Sequence, residues 1–295
     1  MEILWKVSLT NYTFACKEWG FFQLINHGVC NSLIEEFKKE IDEFFKLPLE
    51  EKQKFGQLKG DIQGYGQMFV VSDEQKLDWA DMLYLITLPE NLRKPHILPK
   101  FPPSLRNVVE AYSAELKKLA MKLLNIMARA LEIKPEEIET LFEEGLQSMR
   151  MNYYPPCPQP DQVIGLSSHS DGDGLTFILE LNDTQGLQVR KDGTWVNVKP
   201  LPSAFVANIG DVMEVLSNGT YPSIEHRGVV NSVKARMSLA TFLSPSIHGE
   251  FGPAPSLLSS GTPPKFRRIG SLDYLKGAFA QKELAGKSFI NTLRI

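Results

Sequence analysis

The sequence predicts an α+β chain with a mainly β core, a double-stranded β-helix (jelly roll) flanked by helices drawn mostly from its first half. Three observations carry that expectation. Up to about residue 145, apolar residues recur every three or four positions, the period of buried helix faces. Beyond it the texture changes to short runs rich in β-branched and aromatic residues, punctuated by Gly, Asn, Asp and Pro. Eight such runs fit there, and eight is the strand number of a jelly roll. A chain of 295 residues that is 43% hydrophobic can bury one large core or two joined ones. The change of texture therefore divides it into a helix-rich region, 1–145, and a β-rich region, 146–295, with the jelly-roll core at 146–245.

In chain order, a strand precedes the turn NHG that carries His27. NSLIEEFKKEIDEFF (31–45) has apolar residues at 33, 34, 37, 41, 44 and 45, one face of a helix. A longer helix is expected from about 104 to 131. Leu105, Val108, Val109, Tyr112, Leu116, Leu119, Leu123, Met127 and Leu131 form the stripe that it would bury. The strands then follow as MRMNYY, LTFILEL, GLQVR, TWVNV, AFVANI, DVMEVL, IEHRGVV and MSLATFL. SLDYLKGAFAQKEL (271–284) reads as a closing helix packed back on the body.

Several function classes are excluded at this level. A formal net charge of −3, with KFRR (265–268) as the one basic cluster, gives no electrostatic reason to expect nucleic acid. The three cysteines, Cys16, Cys30 and Cys157, are odd in number and lack CxxC spacing, which argues against a disulfide scaffold or a structural zinc site. No apolar run has membrane-spanning length, and MEILWKVSLT lacks the cleavage pattern of a signal peptide. A cytoplasmic monomer acting on a small molecule is the expectation.

GLSSHSDGDGLTFILEL (165–181) supplies the chemistry. On an extended strand residues two apart share a face, so His169 and Asp171 can converge on one ion. Of the remaining histidines, His27, His96 and His248 sit in turn or loop contexts, whereas His226 lies in the apolar run SIEHRGVV. Two His and one carboxylate, leaving the opposite positions open, is the non-haem Fe(II) donor set. DGDG is not a calcium loop, because the acid required further on is replaced by Asn182. Downstream, Arg236, Ser238, Ala240 and Phe242 alternate onto one strand face. A guanidinium on an otherwise apolar inward surface requires an anion, and its planar fork matches a carboxylate. An open metal beside a carboxylate clamp describes a site for a 2-oxo acid.

These residues lie within a longer series: FACKEWGFFQLINHG (14–28), LDWADM (77–82), MRMNYYPPCPQP (149–160), GLSSHSDGDGLTFIL (165–179), NIGDVMEVLSNG (208–219), EHRGVVN (225–231) and RMSLATF (236–242). In that order they resemble the plant 2-oxoglutarate- and Fe(II)-dependent dioxygenases, especially the branch of the thebaine and codeine O-demethylases and the senescence-related proteins. The resemblance implies Fe(II) on His169, Asp171 and His226, and 2-oxoglutarate held by Arg236, Ser238, Tyr154 and Asn152. It implies O2 as co-reactant, ascorbate to keep the iron reduced, and succinate and CO2 as products. It also implies hydroxylation, O-demethylation or desaturation of a small specialised metabolite lined by Phe242, Met82, Tyr84, Arg150 and Ser244. Asp173, just past the metal ligands, is expected to favour cationic substrates such as protonated alkaloid amines. Relatives carry several dozen more residues before the equivalent of Phe14, so MEILWKVSLTNYT reads as a shortened start that leaves a sheet edge uncovered. The competing readings are a triad oxidase that does not use 2-oxoglutarate, and a non-catalytic jelly roll that binds a small molecule or partner.

Overall fold

The computed structural model of the chain describes residues 9–67, 78–259, 261–279 and 288–295. The chain opens with α1 (Leu9–Glu18), β1 (Phe21–Leu24), α2 (Asn31–Lys46), the short α3 (Leu49–Gln53), β2 (Gly64–Gly66) and β3 (Asp81–Leu88). The long α4 (Pro103–Ala130) and α5 (Pro135–Phe142) lead into the strand-rich half. That half contains β4 (Leu146–Tyr154), β5 (Leu166–His169), β6 (Leu175–Glu180), β7 (Leu187–Lys191), β8 (Thr194–Asn197), β9 (Phe205–Ile209), α6 (Asp211–Leu216), β10 (His226–Gly228) and β11 (Arg236–Ser244). It closes with β12 (Glu250–Phe251), α7 (Pro255–Ser259), β13 (Ile269–Gly270), α8 (Ser271–Phe279) and α9 (Ser288–Asn291).

The strands from β4 to β11 form the jelly roll. Its large sheet runs β1-β9-β6-β11-β4-β3-β2 and its small sheet β5-β10-β7-β8, and the pairings within both are antiparallel. Strand alternation gives the large sheet two different faces. On one, Leu83, Leu85, Met149, Met151 and Leu239 pack with Phe37 and Phe44 of α2 and with Tyr112 and Leu116 of α4. On the other, Ile178 and Val206 meet Leu187 and Val189 of the small sheet. The residues between these apolar patches on the inner face are polar, and there the site lies.

The long helices form where the apolar stripes place them, because each stripe has a sheet face to cover. Eight strands lie between β4 and β11, as expected, but their membership differs. DVMEVL is not a strand but the helix α6, and β5 takes its place in the count. Periodicity cannot separate a short apolar run from a buried helical turn. Every residue of α6 is buried, with Asp211 and Glu214 in its first turn, where the helix dipole favours acids. The strand β3 was not anticipated within a half read as helical. With β1 and β2 it joins the large sheet, so the 145/146 division is one of sequence texture while the sheet draws strands from both sides of it. Of the expected terminal helix 271–284, α8 accounts for 271–279, and 280–284 lie outside the described residues. The expectation about the first residues falls largely on 1–8, also outside them, whereas Leu9–Glu18 is helical. No described helix is long and apolar enough to cross a membrane.

Candidate metal and cosubstrate site

Strand β5 ends at His169 and pairs with β10 in a register that sets His169 opposite His226, with ring centroids 4.4 Å apart. Asp171 is not on the extended strand that the sequence placed it on, for it lies in the loop between β5 and β6. That loop is pinned from below. At the start of α6 the N–H groups of Asp211 and Val212 donate to the carbonyls of Asp171 and Asp173 at 2.8 and 2.9 Å. Gly210 permits the approach, since a Cβ there would stand 2.2 Å from the Asp173 carbonyl oxygen. Asp171 Oδ1 consequently lies 3.5 Å from Nε2 of both His169 and His226. The three donor atoms fall within 4.8 Å of one another, and among the described residues no other trio of His, Cys, Asp or Glu does so. His27 and His96 instead contact the carbonyls of Ser203 and Gly56 through Nε2.

Each donor is oriented by a second group. Nδ1 of His169 lies 2.7 Å from the Ser167 carbonyl, and Nδ1 of His226 3.2 Å from that of Ile224. A carbonyl can only accept, so both Nδ1 atoms carry the proton and both Nε2 lone pairs face the ion position. The far oxygen of Asp171, Oδ2, accepts from Thr176 Oγ1 at 2.6 Å and Asn208 Nδ2 at 2.8 Å. Sequence reasoning missed both residues. Their signal was alternation in LTFIL and AFVANI, which β6–β9 pairing places opposite each other. Because such supporting contacts are worth roughly 10- to 100-fold in metal affinity, Thr176→Val or Asn208→Ala is expected to weaken Fe(II) binding by that order in an anaerobic titration. Wild-type affinity in both variants would show that Asp171 is held by its backbone alone.

Burial pushes His226 down to about 4, so its imidazole is neutral at neutral pH and available as a ligand. Burial alone would raise the Asp171 carboxyl. The imidazoles of His226 and His169 and the Thr176 hydroxyl outweigh it, and Asp171 stays well below the usual carboxylate range. The His226 shift has a stability consequence in the metal-free protein. Above the unfolded value of ~6.5 both states are neutral; below it only the unfolded state takes up the proton until the folded value is reached. Metal-free wild type is therefore expected to lose about 3 kcal/mol more than His226→Gln as pH falls from ~6.5 to ~4. Denaturant unfolding of both proteins across that window measures it, and parallel curves would contradict it.

The second half of the site lies along β11. Its register with β4 pairs Arg236 with Tyr154, Ser238 with Asn152, Ala240 with Arg150 and Phe242 with Ser148, all on the inner face. Arg236 is 3% exposed, and its Cζ stands 5.0 Å from the centroid of the Tyr154 ring. Gly186 leaves it room, because a Cβ there would sit 2.5 Å from Arg236 Cδ. The inference that its anion must come from a ligand needs correction. Arg236 Nη2 donates to Glu180 Oε1 at 2.6 Å, since β6 pairing sets Glu180 opposite Ser238. Burial alone would lower Arg236, but Glu180 and the Tyr154 phenol hold the guanidinium charged. The protein anion does not exhaust the cluster. Arg236 Nε, Glu180 Oε2 and Asn152 Oδ1 are buried without hydrogen-bond partners, and Asn152 Nδ2 reaches Ser238 Oγ at 3.4 Å.

The remaining expected residues fall on the same face. Met82 stands opposite Asn152 and Tyr84 opposite Arg150, both buried, while Phe242 is half-buried opposite Thr176. Ser244 lies at the far end of β11, opposite Leu146. Asp173 differs from expectation. It is 4% exposed and bonded to Thr176 Oγ1, and burial followed by the Asp171 charge raises its pKa well above the carboxylate range. Enclosed, bonded to Thr176 and with its ionised form disfavoured by burial, Asp173 is poorly placed to attract a protonated amine.

The family comparisons agree with this geometry. Residues 145–245 match the 2OG-Fe(II) oxygenase superfamily and residues 9–103 the N-terminal region described as non-haem dioxygenase in morphine synthesis. The chain is 57% identical to the oxoglutarate-dependent flavonoid 7-O-demethylase 1 of Ocimum basilicum, covering 95% of this chain and 75% of that protein. It is 49% identical to thebaine 6-O-demethylase of Papaver somniferum, over 99% and 81% of the two chains. Among solved structures, that of JOX2 in complex with 2OG, Fe and JA superposes with a TM-score of 0.91 at 38% identity, covering 97% of this chain and 85% of that one. A His-Asp-His donor set on a jelly roll, in a chain aligned with such relatives over nearly its whole length, places the protein in the 2OG-Fe(II) oxygenase superfamily, as a 2-oxoglutarate-dependent dioxygenase with Fe(II) as its metal.

Proposed function

We propose that the chain oxidises a methyl ether of a small specialised metabolite, with hydroxylation and desaturation as the other outcomes open to the same chemistry. The observation that carries it is the juxtaposition on one inner surface of three oriented metal donors and a buried arginine with an unspent N–H. The demethylases at 57% and 49% identity favour the methyl ether. His169, Asp171 and His226 would hold Fe(II) through Nε2, Oδ1 and Nε2. Arg236, Ser238 and Tyr154, with Asn152 beside them, would take the far carboxylate of 2-oxoglutarate. The iron supplies activation of O2 coupled to oxidative decarboxylation of 2-oxoglutarate.

The chain's own residues do the rest. The Ser167 and Ile224 carbonyls fix the imidazole tautomers, and Thr176 and Asn208 fix the carboxylate rotamer. Ile178, Val206, Leu187 and Val189 exclude water from the space between the sheets. Met82, Tyr84, Arg150 and Phe242 would line the substrate side, with Ser244 at its far end; Asp173 serves the loop rather than the substrate. For a methyl ether the balance is R–O–CH3 + 2-oxoglutarate + O2 giving R–OH, formaldehyde, succinate and CO2. Incubating the protein with Fe(II), ascorbate, labelled 2-oxoglutarate and methoxylated flavonoids, alkaloids and aryl carboxylic acids tests it. Succinate and formaldehyde in equal amounts are expected. Succinate without formaldehyde on every methoxylated compound would reject demethylation, and no succinate under any condition would reject the assigned roles. We further propose that the protein works in the cytoplasm as a monomer, without a membrane or nucleic-acid partner.

A further inference from the structure

Arg150 is a second arginine on the inner face, and its circumstances differ from those of Arg236. Alternation along β4 turns Met149 and Met151 toward the helices and Arg150 and Asn152 toward the small sheet. Arg150 is 7% exposed. Among the described residues its guanidinium forms no ion pair and donates no hydrogen bond, and its Nε is buried with no partner. Arg236, at similar burial, has Glu180. A desolvated cation without a counter-charge is costly to the folded state, and proteins retain such groups where a ligand completes them. A ligand anion would complete Arg150.

Its position says which anion. The cross-strand row through Arg150 contains Tyr84 on β3, Ala240 on β11 and Ile178 on β6. Ala240, the smallest side chain of that row, packs against the apolar cluster between the sheets yet is only half-buried. The next row holds Phe242 and Thr176, and Thr176 bonds Asp171. With strands ~4.8 Å apart and residues ~3.4 Å apart along them, the Cα of Arg150 lies roughly 12 Å from that of Thr176. An extended arginine side chain spans roughly half of that separation, which leaves a gap on the scale of one aromatic ring before the row of Thr176. The cosubstrate clamp lies on the opposite side of that row, with Ser238 and Asn152 in the adjacent row and Arg236 one row further, so a ligand on Arg150 can extend away from the clamp toward Phe242.

We infer that Arg150 anchors the organic substrate by a carboxylate, so that the enzyme's preferred substrates are aryl carboxylic acids whose oxidisable carbon lies across the ring from the acid. The inference rests on the dioxygenase reading of the same site and adds the substrate's charge. It also reverses the polarity expected from Asp173. The anion must be planar and ionised at neutral pH to use a guanidinium fork, which a carboxylate is and an ordinary phenol is not.

The test compares 3,4-dimethoxycinnamate with its methyl ester and its primary amide. Equilibrium binding to the Fe(II)- and 2-oxoglutarate-loaded protein is measured anaerobically by calorimetry, in wild type, Arg150→Met and Arg150→Lys. Wild type is expected to bind the acid roughly 10-fold or more tighter than either neutral analogue. Arg150→Met should bind all three alike, and Arg150→Lys should restore part of the preference. Circular dichroism checks folding, and if Arg150→Met fails to fold, Arg150→Gln takes its place. Equal binding of acid and ester by wild type overturns the inference, as does an acid preference that survives in Arg150→Met. Loss of 2-oxoglutarate affinity in Arg150→Met with the acid preference intact reassigns the residue to the cosubstrate and also overturns it. Succinate release by wild type from 2-oxoglutarate is read separately. Its absence would count against the dioxygenase roles, while the acid-to-ester ratio would still report on Arg150.

Discussion

His169→Ala is expected to reduce succinate formation to background and to weaken Fe(II) binding by more than the roughly 10- to 100-fold that loss of a supporting contact causes. The argument starts from what the side chain does. His169 ends β5 and spends Nδ1 on the Ser167 carbonyl, so its only function beyond that bond is to present Nε2 beside Asp171 Oδ1 and His226 Nε2. Alanine leaves two donors, too few to hold the ion with the remaining positions open to cosubstrate and O2. The fold has little stake in the ring. It belongs to neither apolar cluster, and β5 is held by main-chain pairing to β10. The melting temperature should shift by a few degrees at most, as expected for about 1 kcal/mol. His27→Ala and His96→Ala, whose rings contact backbone carbonyls far from the trio, should retain iron. His248→Ala should as well. Near-normal succinate production by His169→Ala would remove the residue from the metal site.

Much of this was legible in the sequence because it depends on short-range pattern. A period near 3.6 marked α2 and α4, and the spacing His169–Asp171 marked two donors whatever the backbone between them does. His226 was found by strand context, although β10 is only three residues long. What escaped depended on pairing between distant segments. Glu180 is invisible as the partner of Arg236 until β6 is set against β11 in register. Thr176 and Asn208 become supports of Asp171 only when β6 and β9 are neighbours. DVMEVL was misread because its apolar run fits either period, and the tertiary role of α6, capping the carbonyls of the metal loop, decides for helix. Asp173 differs from expectation because sequence gives charge but not burial, and burial disfavours the charged form.

Arg236→Lys is expected to raise the 2-oxoglutarate dissociation constant roughly 10- to 100-fold, the value of losing one charge-assisted hydrogen bond of about 1.5–3 kcal/mol. The presence of Glu180 sharpens this. In wild type one arm of the guanidinium is committed to Glu180 Oε1, while Nε remains buried and unspent. A planar fork can serve a protein carboxylate and a ligand carboxylate from different nitrogens at once. A lysine ammonium is compact and flexible, and would settle against Glu180, its nearest fixed counter-charge. The substitution thus keeps the buried ion pair, and with it most of the stability, while removing the second point of attachment. Direct titration of 2-oxoglutarate into the Fe(II)-loaded proteins separates the two functions. A weakened constant with a melting temperature close to wild type identifies Arg236 as a clamp that also neutralises Glu180. An unchanged constant would mean that the pair is purely structural, and that the far carboxylate of 2-oxoglutarate is held by Ser238, Tyr154 and Asn152 alone.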